Sequence, residues 1–208
     1  MEDKILFTPG PLTTSLEVKK SGLRDLGSRD KEFIELCEKV RKKLLFLANL
    51  DENDYQVILL QGSGTYGLEA VLSTFTPPNG KWLIVSNGDY GHRLTLIAQI
   101  LGINFVEIVF PCHQIPDKEV IDSHLLNDSS ITHVSLTHCE TTSGILNPIE
   151  EILKLPSISN KKIFLDSISS FGLYEIYNES SVIDFLIGSP NKSLEGIPGF
   201  SFIFVKKS

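Results

Sequence analysis

Short apolar runs rich in β-branched and aromatic residues alternate along the chain with stretches whose apolar positions recur every three to four residues. The runs are YQVILL, KWLIVS, INFVEIVF, THVSLT, KKIFLD and VIDFLIGS. Most are too apolar to alternate between a buried and a wetted face, which is the pattern of parallel strands covered by helices on both sides. Between them, helices are predicted over Thr65 to Phe75, Gly91 to Leu101, Lys118 to Leu126 and Ile149 to Leu155. Upstream, Asp30 is predicted to cap a helix whose Phe33, Leu36, Cys37, Val40, Leu44 and Leu47 fall along one stripe. FTPGPLTT, with Pro9, Gly10 and Pro11, cannot form regular structure and reads as an extended arm. The repeated strand-then-helix order predicts an α/β fold: a doubly wound, mostly parallel sheet with helices on both faces, in one continuous domain.

Sheets of this kind collect ligands at the carboxyl ends of their strands. The polar segments there are QGSGT (Gln61 to Thr65), SNGDYGHR (Ser86 to Arg93), THCETTSG (Thr137 to Gly144), DSISSFG (Asp166 to Gly172) and GSPNKS (Gly188 to Ser193). They are predicted to form one site.

Composition narrows the classes of partner. The 208 residues are 41% hydrophobic and 22% charged with a net charge of -7 and no basic stripe, which argues for a soluble, mildly acidic protein with no nucleic-acid partner. Cys37, Cys112 and Cys139 have neither the spacing of a disulfide framework nor that of a zinc knuckle. MEDKILFTPGP lacks a basic start followed by an apolar core, and no apolar stretch approaches membrane-spanning length. The expectation is a cytoplasmic protein with no membrane partner, in which the N-x-S sequons at Asn127, Asn178 and Asn191 carry no meaning.

Gly62, Gly64 and Gly67 spell a G-x-G-x-x-G between an apolar run and a helical stretch. A dinucleotide site needs an acid at the end of the next strand, but KWLIVSNG ends in Ser86 and Asn87. What survives is an anion cradle built from the N–H groups of Ser63, Gly64 and Thr65 at a helix start, or a tight turn that holds nothing. GSPNKS echoes a nucleotide loop but lacks the second glycine before its lysine. Lys192, just beyond a buried run, is either an exposed loop lysine or a desolvated amine able to form a Schiff base with an aldehyde. Asp166 is either a turn residue or a carboxylate at the end of a buried strand. Taken together, an amine, a carboxylate and a helix-end cradle match the aldehyde, ring nitrogen and phosphate of pyridoxal phosphate. No metal ligand spacing and no G-x-S-x-G elbow occur.

FTPGPLTTS, LQGSGTYGLEA, SNGDYGHR, HCETTSGILNPI, IFLDSISSFG and GSPNKSLEGIPGFSF, in that order, resemble the fold type I pyridoxal phosphate aminotransferases of the alanine:glyoxylate branch, class V. The resemblance covers nearly the whole chain. It implies pyridoxal 5′-phosphate as cofactor, a small-molecule amine donor, a 2-oxo acid acceptor and a homodimer. Its nearest members imply transfer of the amino group of 2-aminoethylphosphonate to pyruvate, giving phosphonoacetaldehyde and alanine. Alanine or serine with glyoxylate is the alternative chemistry, and a non-catalytic cofactor-binding or interaction module is the alternative class.

By the same resemblance Lys192 is the Schiff-base lysine and proton carrier, Asp166 pairs with the pyridinium nitrogen, and Tyr90 stacks on the cofactor ring. Ser63, Gly64 and Thr65 match the phosphate-binding turn. Thr142 is either a hydroxyl near the phenolic oxygen or a capping threonine, and Ser189 and Asn191 either hydrogen-bond the phosphate or orient the lysine loop. His138 is a structural hydrogen-bonding residue; Arg93 and Arg29 are candidate anion contacts or plain surface arginines. Residues 1–208 then correspond to the cofactor-binding large domain with an N-terminal arm at 1–14. The expectation from the resemblance is a large domain without the C-terminal small domain, with apolar surface exposed where that domain would pack.

Overall fold

The computed structural model describes residues 4–176 and 182–207, so the sequon at Asn178 lies outside the described residues. The apolar runs become strands β1 (Tyr55–Gln61), β2 (Lys81–Ser86), β3 (Asn104–Val109) and β4 (His133–Thr137). A short pair, β5 (Cys139–Glu140) and β6 (Ile145–Leu146), leads on to β7 (Lys162–Asp166), β8 (Phe185–Gly188) and β9 (Phe200–Lys206). All but the short pair join one sheet in the order β1-β9-β8-β7-β4-β2-β3. From β8 to β3 every pairing is parallel.

β9 departs from that pattern, running antiparallel between β8 and β1. YQVILL is therefore an antiparallel edge strand, and its first positions alternate between buried (Tyr55, Val57) and exposed (Gln56, Ile58) because an edge strand can leave one face wet. Two reversals return β1 to the direction of β8. The carboxyl ends of β1, β2, β4, β7 and β8 thus share one edge of the sheet.

Helices are α1 (Leu16–Ser21), α2 (Lys31–Leu47), α3 (Gly64–Phe75), α4 (Asp89–Ile100), α5 (Lys118–Asn127) and α6 (Ile149–Leu153). Periodicity located the last five to within two residues at each end. α1 has no apolar stripe to announce it; it buries nothing and is held by Ser15, whose hydroxyl accepts from the Val18 amide at 3.2 Å. Asp30 does stand at the start of α2, but its carboxylate accepts from the Gly27 amide at 2.7 Å and makes no capping bond to the helix. Nor is the α2 stripe buried along its length. Leu44 is buried, whereas Leu36 and Leu47 are 46% and 47% exposed, so only part of this helix meets the sheet.

One face of the sheet packs Leu83, Val134, Leu136, Ile163 and Leu165 against α2, α5 and α6. The other packs Trp82, Ile84, Phe164 and Ile187 against Leu68, Val71 and Leu72 of α3 and Leu94 and Ala98 of α4. Each large apolar side chain removed from water contributes about 1.5–3 kcal/mol, which fixes the strand ends that carry the polar segments. Gly67 serves this packing: a Cβ there would lie 2.2 Å from Ile187 Cδ1. The third glycine of the G-x-G-x-x-G is thus explained by helix-to-sheet contact, without a nucleotide.

Candidate active site

Gly62 turns the chain from β1 into α3 with φ 121°, a left-handed value that glycine adopts without strain, while its amide donates to the Gly199 carbonyl at 2.9 Å. Ser63 follows as the N-cap residue, and its side chain makes no bond back to the helix. The first amides of α3, at Gly64 and Thr65, are those an α-helix leaves without an internal acceptor. A Cβ on Gly64 would sit 2.7 Å from Ile168 Cδ1, so this helix start touches the segment just beyond β7.

That segment carries Asp166. Its carbonyl accepts from the His138 amide at 2.8 Å, and its Oδ1 accepts from the Ile168 amide at 2.9 Å. The side chain is buried, and burial pushes its pKa up to about 6; the Ile168 bond opposes the rise and the nearby Glu140 charge adds to it. The positive charges of Arg93 and Lys192 pull the other way.

Lys192 stands on the turn after β8. Its ammonium donates to the Gly10 carbonyl at 3.0 Å, and burial followed by the like charge of Arg93 lowers its pKa, with Asp166 opposing. The N-terminal arm reaches this turn a second time, where the Leu12 amide donates to the Asn191 carbonyl at 3.3 Å. Gly10 has φ 125°, and a Cβ there would lie 2.3 Å from Lys192 Cδ. Within the turn the buried Ser189 hydroxyl donates to Asn191 Oδ1 at 2.6 Å, and the Ser193 hydroxyl donates to the Phe171 carbonyl. Ser189 and Asn191 are thereby placed in the lysine turn and bonded to each other.

Tyr90 and Thr142 meet around Glu140, which has no exposed surface. Glu140 Oε1 accepts from the Thr142 hydroxyl at 2.5 Å and amide at 3.1 Å, and from the Tyr90 amide at 3.4 Å; Oε2 accepts from the Gly91 amide at 3.2 Å. The carboxylate therefore does for the start of α4 what a local cap does elsewhere, a role worth about 1 kcal/mol. The Thr142 hydroxyl also accepts from the Asp89 amide at 3.4 Å, which matches the capping alternative for this residue. Tyr90 itself is half-buried, and the Arg93 guanidinium lies 4.5 Å from its ring centroid. A second ring stacking on Tyr90 requires the opposite face or displacement of the guanidinium.

His138 is buried behind Asp166, with Nδ1 3.0 Å from the Ser170 hydroxyl; desolvation lowers its pKa to about 4, which suits a neutral structural imidazole. Arg29 is exposed on the turn before α2 and takes no part in these contacts. Sequence reasoning passed over Glu140 and the carbonyl of Gly10. It also passed over Asn87 and Asn147, whose buried side-chain amides exchange hydrogen bonds of 2.8 and 3.1 Å and tie the end of β2 to the turn before α6. Glu140 had one visible signal, an acid inside the otherwise neutral polar segment THCETTSG. Among the described residues no group of histidine, cysteine and acidic side chains fits a metal ion.

The donor set is an amine of lowered pKa, a buried carboxylate of raised pKa and a helix start with unpaired amides. It fits a ligand with an electrophilic carbon, a protonated ring nitrogen and an anionic group.

Comparison with known proteins shows the family to which the chain belongs. Residues 13–208 match the family described as Aminotransferase class-V. The chain is 42% identical to the 2-aminoethylphosphonate–pyruvate transaminase of Phocaeicola vulgatus over 209 residues, covering 100% of this chain and 58% of that protein. It is 43% identical over 205 residues to the bifunctional phosphonoacetaldehyde hydrolase/aminoethylphosphonate transaminase of Clostridioides difficile, covering 99% of this chain and 32% of that one. Among solved structures, pyridoxamine-pyruvate aminotransferase from Mesorhizobium loti superposes with a TM-score of 0.87 at 29% identity, over 98% of this chain and 51% of that one. The chain thus spans a third to a little over half the length of these relatives.

Proposed function

The chain belongs to the class-V aminotransferase family, and from that premise we propose that it forms the cofactor-binding large domain of a transaminase that moves the amino group of 2-aminoethylphosphonate to pyruvate. The products are phosphonoacetaldehyde and alanine. The observation that supports the reading is that Lys192 and Asp166 lie near enough to act on each other's charge, while the start of α3 packs on Ile168, two residues beyond Asp166.

When bound, pyridoxal phosphate supplies an aldehyde for the donor amine and a protonated ring that draws electrons from the substrate carbon. Lys192 Nζ, held toward its neutral form by burial and by Arg93, is the group that takes and returns a proton at that carbon. Asp166, a carboxylate that burial leaves short of solvent, would hold the ring nitrogen in its protonated form, since a cationic partner is favoured there. Ser63, Gly64 and Thr65 offer N–H groups and hydroxyls to the phosphate. Tyr90 supplies a stacking face, and Thr142 orients the turn beside it. Ser189 and Asn191 hold the lysine turn.

No helix among the described residues is long and apolar enough to cross a membrane. The reading extends to a cytoplasmic homodimer, supported by three cysteines that are all free and by exposed Phe46 (84%), Leu36 and Leu47 on α2, an apolar surface suited to burial against further protein. Donor screening tests the substrate assignment. Turnover of 2-aminoethylphosphonate with pyruvate supports it; turnover of alanine or serine with glyoxylate and none with the phosphonate overturns it.

A further inference from the structure

Glu140 stands apart from the residues assigned above because both its oxygens are taken by donors of the protein itself. It is a fully buried carboxylate between two site segments. The groups facing it are the amides of Tyr90, Gly91 and Thr142 and the Thr142 hydroxyl, all of them donors, an environment matched by two carboxylate oxygens and mismatched by an amide. The approach is close enough to dictate a neighbour. A Cβ on Gly88 would lie 2.4 Å from Glu140 Cδ and 2.6 Å from Thr142 Oγ1, so glycine there is a condition of the contact. Gly88 is the N-cap of α4, and Tyr90 is the second residue of the helix. Glu140 is therefore bonded to the backbone of the first turn of α4, from which Tyr90 projects.

We propose that Glu140 is a positioning residue that clamps the start of α4 onto the β5 turn and so presents Tyr90 for stacking on the cofactor. The proposal rests on the cofactor reading given above. It assigns Glu140 no proton transfer: its oxygens are engaged by four donors, and its effect on the ligand passes through the backbone of Tyr90.

The test is a double-mutant cycle on pyridoxal phosphate affinity, read by absorbance titration of the full chain, with thermal unfolding as a check that each variant folds. Glu140→Gln keeps the volume but turns an NH2 toward donors, and is expected to weaken cofactor binding about five- to tenfold, the size of a lost cap. Tyr90→Ala weakens binding as well. If Glu140 acts through Tyr90, Glu140→Gln adds little in the Tyr90→Ala background. Should Glu140→Gln prove insoluble, Thr142→Val, which removes one donor and leaves the carboxylate, is expected to show the same non-additivity at smaller amplitude. Wild-type affinity in Glu140→Gln, or a loss that persists in full on top of Tyr90→Ala, overturns the proposal alone. A wild-type chain that takes up no cofactor overturns the parent reading and the proposal with it.

Discussion

The side chain of Lys192 donates to the backbone carbonyl of Gly10 at 3.0 Å across 182 positions of sequence, which pins the amine until something competes for it. Gly10 combines φ 125° with a would-be Cβ only 2.3 Å from Lys192 Cδ, so any side chain there strains the arm and displaces the lysine. Gly10→Ala is expected to lower pyridoxal phosphate affinity about tenfold or more, because the amine loses its preset position. Absorbance titration of the variant beside the parent measures this, and equal affinities would remove the arm from the site.

Asp166 carries a stability cost that serves binding. Its folded pKa of about 6 exceeds its ordinary 3.8, so the folded chain binds more protons than the unfolded one between those values. Through this group, stability of the ligand-free chain falls as pH rises from about 4 to about 6 and stays low above that. Asp166→Asn can retain the bond from the Ile168 amide while losing the charge. The ligand-free variant is expected to be more stable than the parent at pH 8 by about 1–3 kcal/mol, with the gap closing below pH 4. Denaturant unfolding at the two pH values decides, and equal stability at pH 8 would mean that the carboxylate is not desolvated as described.

After burial, the like charge of Arg93 is the second influence that lowers the pKa of Lys192, because it disfavours the ammonium form. Arg93→Gln removes that charge, so the pKa of Lys192 rises and the pH midpoint for capture of pyridoxal phosphate moves upward. A pH series of binding titrations reads the shift. A midpoint that stays put would show that burial alone tunes the amine, and one that moves down would contradict the sign of the Arg93 effect.

The parts of this molecule written in local pattern were legible without coordinates. Runs such as KWLIVS and KKIFLD read as covered strands, and the helices between them followed from spacing, so the sheet edge that carries the polar segments was legible from the pattern. What escaped depends on distant partners. YQVILL became an antiparallel edge because β9 inserts beside it, which nothing within the run encodes. Glu140 caps a helix that begins 51 residues earlier in the chain, and Asn87 pairs with Asn147 across 60. Asp30 shows the converse: the right residue type stands at the helix start, but a nearer donor, the Gly27 amide, takes its carboxylate. α1 was invisible because a helix that buries no side chain leaves no stripe.

The account turns on Lys192 as the amine that captures the cofactor, and one measurement addresses it. The purified chain is mixed with pyridoxal phosphate, reduced with borohydride, digested and mapped by mass spectrometry, with Lys192→Ala treated alongside. The expected result is a visible absorption band lost on reduction, one label on Lys192, and neither band nor label at that position in the variant. A chain that stays colourless, or a label spread over other lysines and unchanged by Lys192→Ala, would contradict it.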